Sequence, residues 1–329
     1  HVLVMYAGAV AVPLVIGGSL GLPKDQISYL ISSDLFCCGI VTLLQCVGIG
    51  RFAGIRLPVI MSVTFAAVMP MLAIGGNPDL GLTGIFGATI AAGIISTLLV
   101  PLIGRLMPLF PTVVTGVVIT SIGISIMQVG IDWMAGGKGN PEYGSLRYIG
   151  TSFVVLAFIL LVTRFTKGFF SNISVLLGII FGFVVAIAMG EVSLDGLGEA
   201  AWFAPIVPFA FGWPTFDPIS IATLTVIMLI TFIESVGMFM ALGDIVGHPA
   251  SRGDIVRGLR VDGIGTIIGG IFNSFPHTSF SQNIGLVSVT GVSSRWVCVM
   301  SGGILLAFGL VPKMSVLVAS IPPFVLGGA

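Results

Sequence analysis

The sequence predicts an all-α polytopic membrane protein, and three observations support this fold class. Of the 329 residues, 56% are hydrophobic and only 8% are charged, whereas an ordinary soluble domain has about 25% charged residues. The apolar residues form repeated runs of about 20, the length that a helix needs to cross a ~30 Å hydrocarbon core. The 46 glycines are typical of transmembrane helices, where small residues let backbones approach closely.

Eleven spans and the start of a twelfth are predicted along the chain. They lie near residues 1–17, 27–49, 57–75, 82–104, 109–129, 149–165, 170–190, 218–246, 258–274, 276–292 and 294–311, and the next begins at about 314. The first span has no initiator Met before it, and the final residues are still apolar. We therefore expect a fold truncated at both ends, with a longer natural chain.

Charge asymmetry between alternate loops predicts the orientation. Nine basic residues fall on one side of the predicted spans: Arg51, Arg56, Arg105, Arg164, Lys167, Arg252, Arg257, Arg260 and Arg295. Only four fall on the other side: Lys24, Lys138, Arg147 and Lys313. Because cytoplasmic loops carry an excess of Lys and Arg, the first side is predicted to be cytoplasmic. The net charge of zero gives no reason to expect a nucleic-acid partner.

Ionisable residues inside the predicted spans are candidates for function, because a charge in the bilayer is costly. Glu234 lies in the middle of the eighth span, where we expect it to face a cavity or a partner helix. Asp262 enters the Gly-rich ninth span after Arg260, and both a proton-handling role and a pairing with Arg260 remain open. Asp34 in the second span is expected to be structural. His1 opens the first span, where it is expected to orient the structure.

No motif of an enzyme, channel, cofactor or metal site is recognisable. The four cysteines all lie in apolar runs without metal-ligand spacing, so we expect small buried hydrophobes: Cys37, Cys38, Cys46 and Cys298. The sequence has no paired His/Asp metal motif, no nucleophile elbow, and no repeated filter or ring of charges. A transporter is therefore favoured over an enzyme or a channel.

Two segments interrupted by Pro are predicted to be broken helices at 58–67 and 275–285. Each begins at or next to a Pro and carries hydroxyl residues at close intervals. Irregular backbone at membrane depth is tolerated only inside protein or beside a cavity, and paired broken spans indicate a transporter binding site. The two segments belong to the third and tenth spans, so their spacing of seven predicts an inverted repeat and about fourteen spans in the whole protein.

Residues 282–291 resemble a family signature. They read Gln-Asn-Ile-Gly-Leu-Val-Ser-Val-Thr-Gly, which is similar to the Gln/Glu/Pro-Asn-x-Gly-x4-Thr-Arg/Lys/Gly pattern of the nucleobase–ascorbate transporters, the nucleobase-cation-symport-2 family. The likeness extends along the chain and is greatest to bacterial uric acid and xanthine permeases. Gly291 fills a position where close relatives often have Arg, which leaves no charge there.

The resemblance implies a fold of seven plus seven inverted spans with a core and a gate domain, usually in a homodimer. On this reading the core contains residues 1–106, with spans 1–4, and residues 218–312, with spans 8–11. The gate contains residues 107–191, with spans 5–7, and the start of its second half at 313–329. Residues 192–217 connect the two repeats.

The resemblance also implies roles for the polar candidates. Glu234 would accept hydrogen bonds from purine N–H groups, and Gln282 would read the polar edge of the ring. Asn283 would support the same substrate site. Asp262 would take part in proton coupling, together with Glu234, and His1 would orient the core.

Four further residues are implied to shape the pocket. Thr64 occupies a position that helps to separate uric acid from xanthine in the family. Phe65 and Ala66 would contribute backbone contacts, and Ile284 would tune the size of the pocket.

The implied function is the import of uric acid or xanthine by proton symport across the bacterial inner membrane, without a cofactor. Uracil or another nucleobase is an alternative substrate within the same architecture. Sulfate- or bicarbonate-type anion exchangers also resemble this fold. They would prefer a cationic or helix-dipole site, so the carboxylate of Glu234 argues against them.

Overall fold

The computed structural model describes residues 1–106, 112–137 and 140–329. The first repeat is made of helices interrupted by one short strand. Its elements are α1 (Val2–Ser19), α2 (Lys24–Val47), β1 (Met61–Val63), a 3₁₀ helix (Phe65–Ala67), α3 (Val68–Gly75), α4 (Gly81–Leu106), α5 (Thr112–Met134), α6 (Leu146–Phe165), α7 (Phe169–Asn172) and α8 (Ser174–Ala188). The predicted start of the fifth span at 109, the boundary residue 107 and the loop residue Lys138 lie outside the described residues.

The second repeat follows the same order of elements. It contains α9 (Pro218–Val246), α10 (Arg252–Ile271), β2 (His277–Ser279), α11 (Gln282–Thr290), α12 (Arg295–Gly309), α13 (Pro312–Ala319) and α14 (Pro323–Gly328). The predicted all-α fold class is confirmed, and the helical fold also includes one short two-stranded sheet of β1 and β2. Extended backbone in the bilayer interior must satisfy its polar groups internally, and the two strands do this by pairing with each other.

The described residues contain fewer uninterrupted membrane-spanning helices than the sequence predicts. Four helices are long and apolar enough to cross a membrane, and a fifth is added if α12 and α13, bent by 80°, count as one span. Other predicted spans are shorter because they are broken: the third is divided among β1, the 3₁₀ helix and α3, and the tenth between β2 and α11.

The helices differ in how far they are enclosed by protein. Within an apolar window of 18 residues in each helix, 72% of the window is buried in α2 but only 28% in α6. Helix α2 is therefore interior, and it packs against α1, α10, α12, α13 and β1. Helix α6 exposes large apolar side chains, such as Leu160 at 59%, as expected of a surface that faces lipid.

Close backbone contact explains part of the high glycine content. At Gly39 in α2, an added Cβ would lie 2.6 Å from the Leu306 nitrogen and 2.7 Å from the Gly302 oxygen in α12. Such distances are too short for a side chain, so only Gly permits this approach of the two helices. Small residues serve this purpose widely in membrane helix packing.

Helix α9, which carries Glu234, begins and ends where the sequence predicts, at 218 and 246. Asp217 caps its start, since its Oδ2 accepts hydrogen bonds of 2.7 Å from the backbone amide and the hydroxyl of Ser220. These two hydrogen bonds hold the pKa of the Asp217 carboxyl below its usual range. Gly247 ends the helix with a φ of 77°, a conformation that Gly adopts without a steric penalty.

Candidate functional site

The two interrupted segments cross each other in the interior. Strands β1 and β2 pair in antiparallel register, with Ser62 opposite Thr278. The ladder continues at both ends, where Thr64 N donates to Pro276 O and Phe280 N donates to Ile60 O, each at 2.9 Å. Each strand leads into a helix, the 3₁₀ helix after β1 and α11 after β2. The crossing therefore places the starts of two helices at the two ends of one short ladder. Their first amides are already paired, that of Ala66 with Thr64 Oγ1 and those of Asn283 and Ile284 with Phe280 O and Ser281 O.

Glu234 lies on α9, which packs against the 3₁₀ helix, β2 and α11. Its side chain is half-buried, and no hydrogen bond or ion pair to its carboxylate is found among the described residues. The adjacent Ser235 contacts β2 directly, with its Oγ 3.2 Å from Thr278 Oγ1. An unpaired carboxylate beside the crossing can accept hydrogen bonds from N–H donors of a ligand.

Asp262 is fully buried and contacts α2 and β2. Its Oδ1 accepts long hydrogen bonds from Gln45 Nε2 at 3.4 Å and from Ser279 Oγ at 3.5 Å. Its Oδ2 has no partner among the described residues. The alternative pairing with Arg260 is not found, because that guanidinium donates to Phe52 O at 2.9 Å and lies over the Phe52 ring.

Asn283 connects three segments at the start of α11. Its Oδ1 lies 2.5 Å from His1 Nδ1, and its Nδ2 donates to Pro58 O at 2.7 Å. Both ends of the buried amide are thus used within the protein. The contact between Asn283 and His1 joins the start of α11 to the start of α1.

Gln282, in contrast, has an exposed side chain. Its Oε1 accepts a hydrogen bond from Ser281 Oγ at 3.1 Å, and its amide nitrogen has no partner among the described residues. Gln282 and Phe65 line a cavity of about 620 Å³ between α1, α5, α8 and the crossing, which we call the central cavity. Ile284, one turn further along α11, packs half-buried against the main hydrophobic core.

Thr64 is almost fully buried, with 2% of its surface exposed. Its Oγ1 accepts a 3.2 Å hydrogen bond from Ala66 N and so caps the 3₁₀ helix. The Ala66 amide is therefore occupied locally. The Thr64 hydroxyl proton has no acceptor among the described residues and can be donated to a ligand.

A buried polar cluster beneath β2 includes one residue that the sequence analysis missed. Asp34 Oδ1 accepts a 2.6 Å hydrogen bond from Ser274 Oγ, which agrees with the structural role expected for Asp34. Cys38 Sγ lies 3.7 Å from Asp34 Oδ2 and 3.6 Å from His277 Nε2. His277 Nδ1 lies 2.8 Å from Phe275 O. The sequence signal for His277 was its place in the Pro-interrupted segment, but its partner on α2 is distant in sequence.

The four cysteines are buried, as predicted, but Cys38 lies in the polar cluster with Asp34 and His277 and not in an apolar environment. All four thiols are free and buried: Cys37, Cys38, Cys46 and Cys298. Cys46 donates to Val59 O at 3.0 Å and so ties α2 to the segment before β1.

A family model described as "Permease family" (Xan_ur_permease) matches residues 1–329. The chain belongs to this permease family. It is 74% identical over 329 residues to the uric acid transporter UacT of Escherichia coli (strain K12), covering 100% of this chain and 68% of that protein. It is 46% identical to the xanthine permease of Bacillus subtilis (strain 168), of which it covers 74%, and 45% identical to the uric acid permease PucJ of the same strain, with the same coverage.

Solved structures confirm the fold class of this permease. The transmembrane domain of the cyanobacterial bicarbonate transporter BicA superposes with a TM-score of 0.70 at 16% identity, covering 99% of this chain and 86% of that one. The murine anion transporter Slc26a9 in its inward-facing state gives 0.67 at 12% identity, covering 99% and 58%. At these identities the likeness concerns the inverted-repeat fold alone. The family match and the named relatives show a multi-pass membrane transporter, as the sequence predicted.

Proposed function

We propose that this permease imports uric acid and xanthine across the bacterial inner membrane by proton symport. The observation that carries the proposal is the 74% identity, over the whole chain, to a protein named a uric acid transporter. Two further relatives at 46% and 45% identity are named for xanthine and for uric acid. The polar groups around the crossing support the same substrate class.

Glu234 and Gln282 recognise the purine. Uric acid and xanthine present N–H donors and C=O acceptors around a flat ring, and an unpaired carboxylate with an unpaired amide nitrogen can satisfy both kinds of group. The Thr64 hydroxyl contributes a donor, while the backbones of Phe65 and Ala66 and the side chain of Ile284 shape the pocket. A site of this kind rejects analogues that leave its buried polar groups unpaired.

Asp262 and Glu234 couple transport to protons. The unpartnered Oδ2 of Asp262 is a site where a proton can bind without displacing an existing hydrogen bond. Strand β2 connects the two carboxylates, since Thr278 contacts Ser235 beside Glu234 and Ser279 contacts Asp262. Coupling follows if the proton affinity of these groups differs between the outward and inward conformations.

We infer a domain division with a core of residues 1–106 and 218–312 and a gate of residues 107–191 and 313–329. The central cavity lies where the two domains meet, because α1, Phe65 and Gln282 are on the core side and α5 and α8 are on the gate side. The basic loops are cytoplasmic, and the permease is a homodimer in the lipid bilayer.

Uptake of labelled uric acid, xanthine and uracil by cells that express the full-length protein tests the substrate. We expect saturable uptake of the two purines and little uptake of uracil. Uracil uptake that exceeds purine uptake would favour the alternative of a uracil or other nucleobase permease. Uptake of labelled sulfate or bicarbonate, without uptake of either purine, would favour an anion exchanger.

A further inference from the structure

A second cavity opens near the ends of α1 and α5, on the face opposite the basic loops. It has a volume of about 330 Å³, and its lining includes Ser19, Met69, Leu72, Gln128, Asp132 and Trp133. We call it the outer vestibule. The Asp132 carboxylate accepts a 2.9 Å hydrogen bond from the Tyr143 hydroxyl. Trp133 and Val129 line both this vestibule and the central cavity. These two side chains therefore form the wall between the two cavities.

Trp133 lies where the core and the gate meet. Its backbone, at the end of α5, packs against Gly327 of α14, and its ring reaches α1, where a Cβ on Gly18 would lie 3.8 Å from its Cζ2 atom. The indole is half-buried. Its N–H has no hydrogen-bond partner among the described residues, although a buried Trp N–H usually finds one.

The groups around the outer vestibule suit a flat heterocycle with alternating donors and acceptors. The indole offers an aromatic face, and such stacking stabilises the binding of nucleobases in proteins generally. The Gln128 amide, exposed and without a partner among the described residues, offers a donor and an acceptor. The Ser19 hydroxyl offers both as well, and Met69 and Leu72 provide apolar surface for the ring edge.

We propose that the outer vestibule is a second purine site, in which the ring stacks on Trp133 before it enters the central cavity. This inference rests on the proposed function, since it takes its ligand class from it. Displacement of the indole from the wall then opens the way between the two cavities. The outer vestibule is distinct from the first site because Phe65 and Gln282, which line the central cavity, are absent from its lining. Glu234 lines neither cavity.

Protection of an introduced cysteine tests the proposal in the full-length protein. Ser19→Cys places a thiol in the vestibule, and a membrane-impermeant maleimide reports its accessibility from outside. The four native cysteines of this chain are buried, so we expect the maleimide not to label the parent protein. This control is run first. Leu146→Cys, 87% exposed near the same end of the bundle, is the matched control. Both reporters carry Glu234→Gln, so that purine binding at the proposed Glu234 site does not contribute to the protection.

We expect xanthine to slow the labelling of Ser19→Cys several-fold and to leave Leu146→Cys unchanged. Trp133→Ala should abolish this protection. Trp133→Phe keeps an aromatic face and should retain most of the protection. It also preserves the test if the Ala variant does not fold. Equal labelling of Ser19→Cys with and without xanthine would overturn the proposal. Protection that persists in Trp133→Ala, or extends to Leu146→Cys, would overturn it too.

Uptake of labelled xanthine by the wild-type protein distinguishes a failure of the vestibule site from a failure of the proposed function. Normal uptake without protection at Ser19→Cys refutes the vestibule site alone. If the wild-type protein takes up no purine, the proposed function fails, and the vestibule's ligand class fails with it.

Discussion

At the scale of single residues, the crossing separates polar groups that are already paired from those that remain available. Asn283 uses both ends of its amide within the protein, whereas Glu234 and the amide nitrogen of Gln282 have no partner among the described residues. An unpaired polar group inside the bilayer is costly. The available groups are therefore the ones we expect a substrate to satisfy.

The first residue-scale prediction concerns the carboxylate of Glu234. Glu234→Gln keeps the size of the side chain but removes the negative charge that accepts purine N–H groups, so we expect uptake of uric acid and xanthine to fall to background. Membrane abundance should stay near that of the wild type. Glu199→Gln, in an exposed loop, is the control and should transport normally. A variant that keeps half of the wild-type uptake has lost less than ~1 kcal/mol in the activation free energy of transport. If Glu234→Gln keeps more than about half of the wild-type uptake, Glu234 is therefore not part of the site.

The second residue-scale prediction concerns substrate choice at Thr64. Uric acid has a carbonyl where xanthine has a C–H, and the Thr64 hydroxyl can donate to that carbonyl. Loss of this hydrogen bond costs ~0.5–3 kcal/mol. Thr64→Ala should therefore weaken uric acid relative to xanthine by a few-fold to about a hundredfold, measured as competition of each purine against labelled substrate.

A purely local role for Thr64 gives a different result. Its Oγ1 caps the 3₁₀ helix through Ala66 N, and loss of a cap alone would lower expression or weaken both purines equally. Thr64→Ser keeps both the cap and the donor and should preserve the preference. An unchanged preference ratio in Thr64→Ala would leave the residue as scaffold only.

At the scale of elements, the helices were more predictable than the crossing. The run 218–246, predicted from its apolar length, matches α9, whose ends are determined locally by the Asp217 cap, Pro218 and Gly247. The Pro residues at 58 and 276 showed that the third and tenth spans are broken. The strands β1 and β2 were missed because each has three residues and is stabilised by a partner more than two hundred positions away.

Side-chain contacts between different elements could likewise not be predicted from the sequence. Lone intramembrane carboxylates identified Glu234, Asp262 and Asp34 as candidates, because their cost in a bilayer is independent of the fold. The hydrogen bonds that Asp34 accepts from Ser274 and that Asp262 accepts from Ser279 depend on how α2, α10 and β2 pack together. The exclusion of Arg260 as a partner of Asp262 needed the structure for the same reason.

The element-scale prediction tests the attachment of β2 to α2. Asp34→Ala removes the acceptor of Ser274 Oγ and leaves buried polar groups unpaired, which costs about 1–3 kcal/mol. The purified full-length protein should therefore unfold at a temperature several degrees lower in detergent. Ser33→Ala is the matched control, since the neighbouring Ser33 Oγ is buried without a partner among the described residues and should be lost without cost. Equal melting of both variants would show that the Asp34 hydrogen bonds do not stabilise the crossing.

At the scale of the whole molecule, the fold determines which face of the membrane each loop occupies. Nine basic residues on one side against four on the other predict that the richer side is cytoplasmic. In cells expressing the full-length protein, Glu199→Cys should react with an impermeant maleimide in intact cells, and Lys167→Cys only after permeabilisation. Both positions are exposed, so access and not burial decides the result. The reverse pattern would invert the orientation.

The most direct test of the central claim, proton-coupled purine import, is the uptake of labelled uric acid and xanthine into proteoliposomes containing the full-length protein. We expect both purines to accumulate when the external medium is made more acidic than the lumen. Accumulation should collapse on addition of a protonophore and should survive replacement of sodium by choline. Accumulation that follows a sodium gradient at equal pH on both sides, or the absence of purine accumulation under any gradient, would contradict the account.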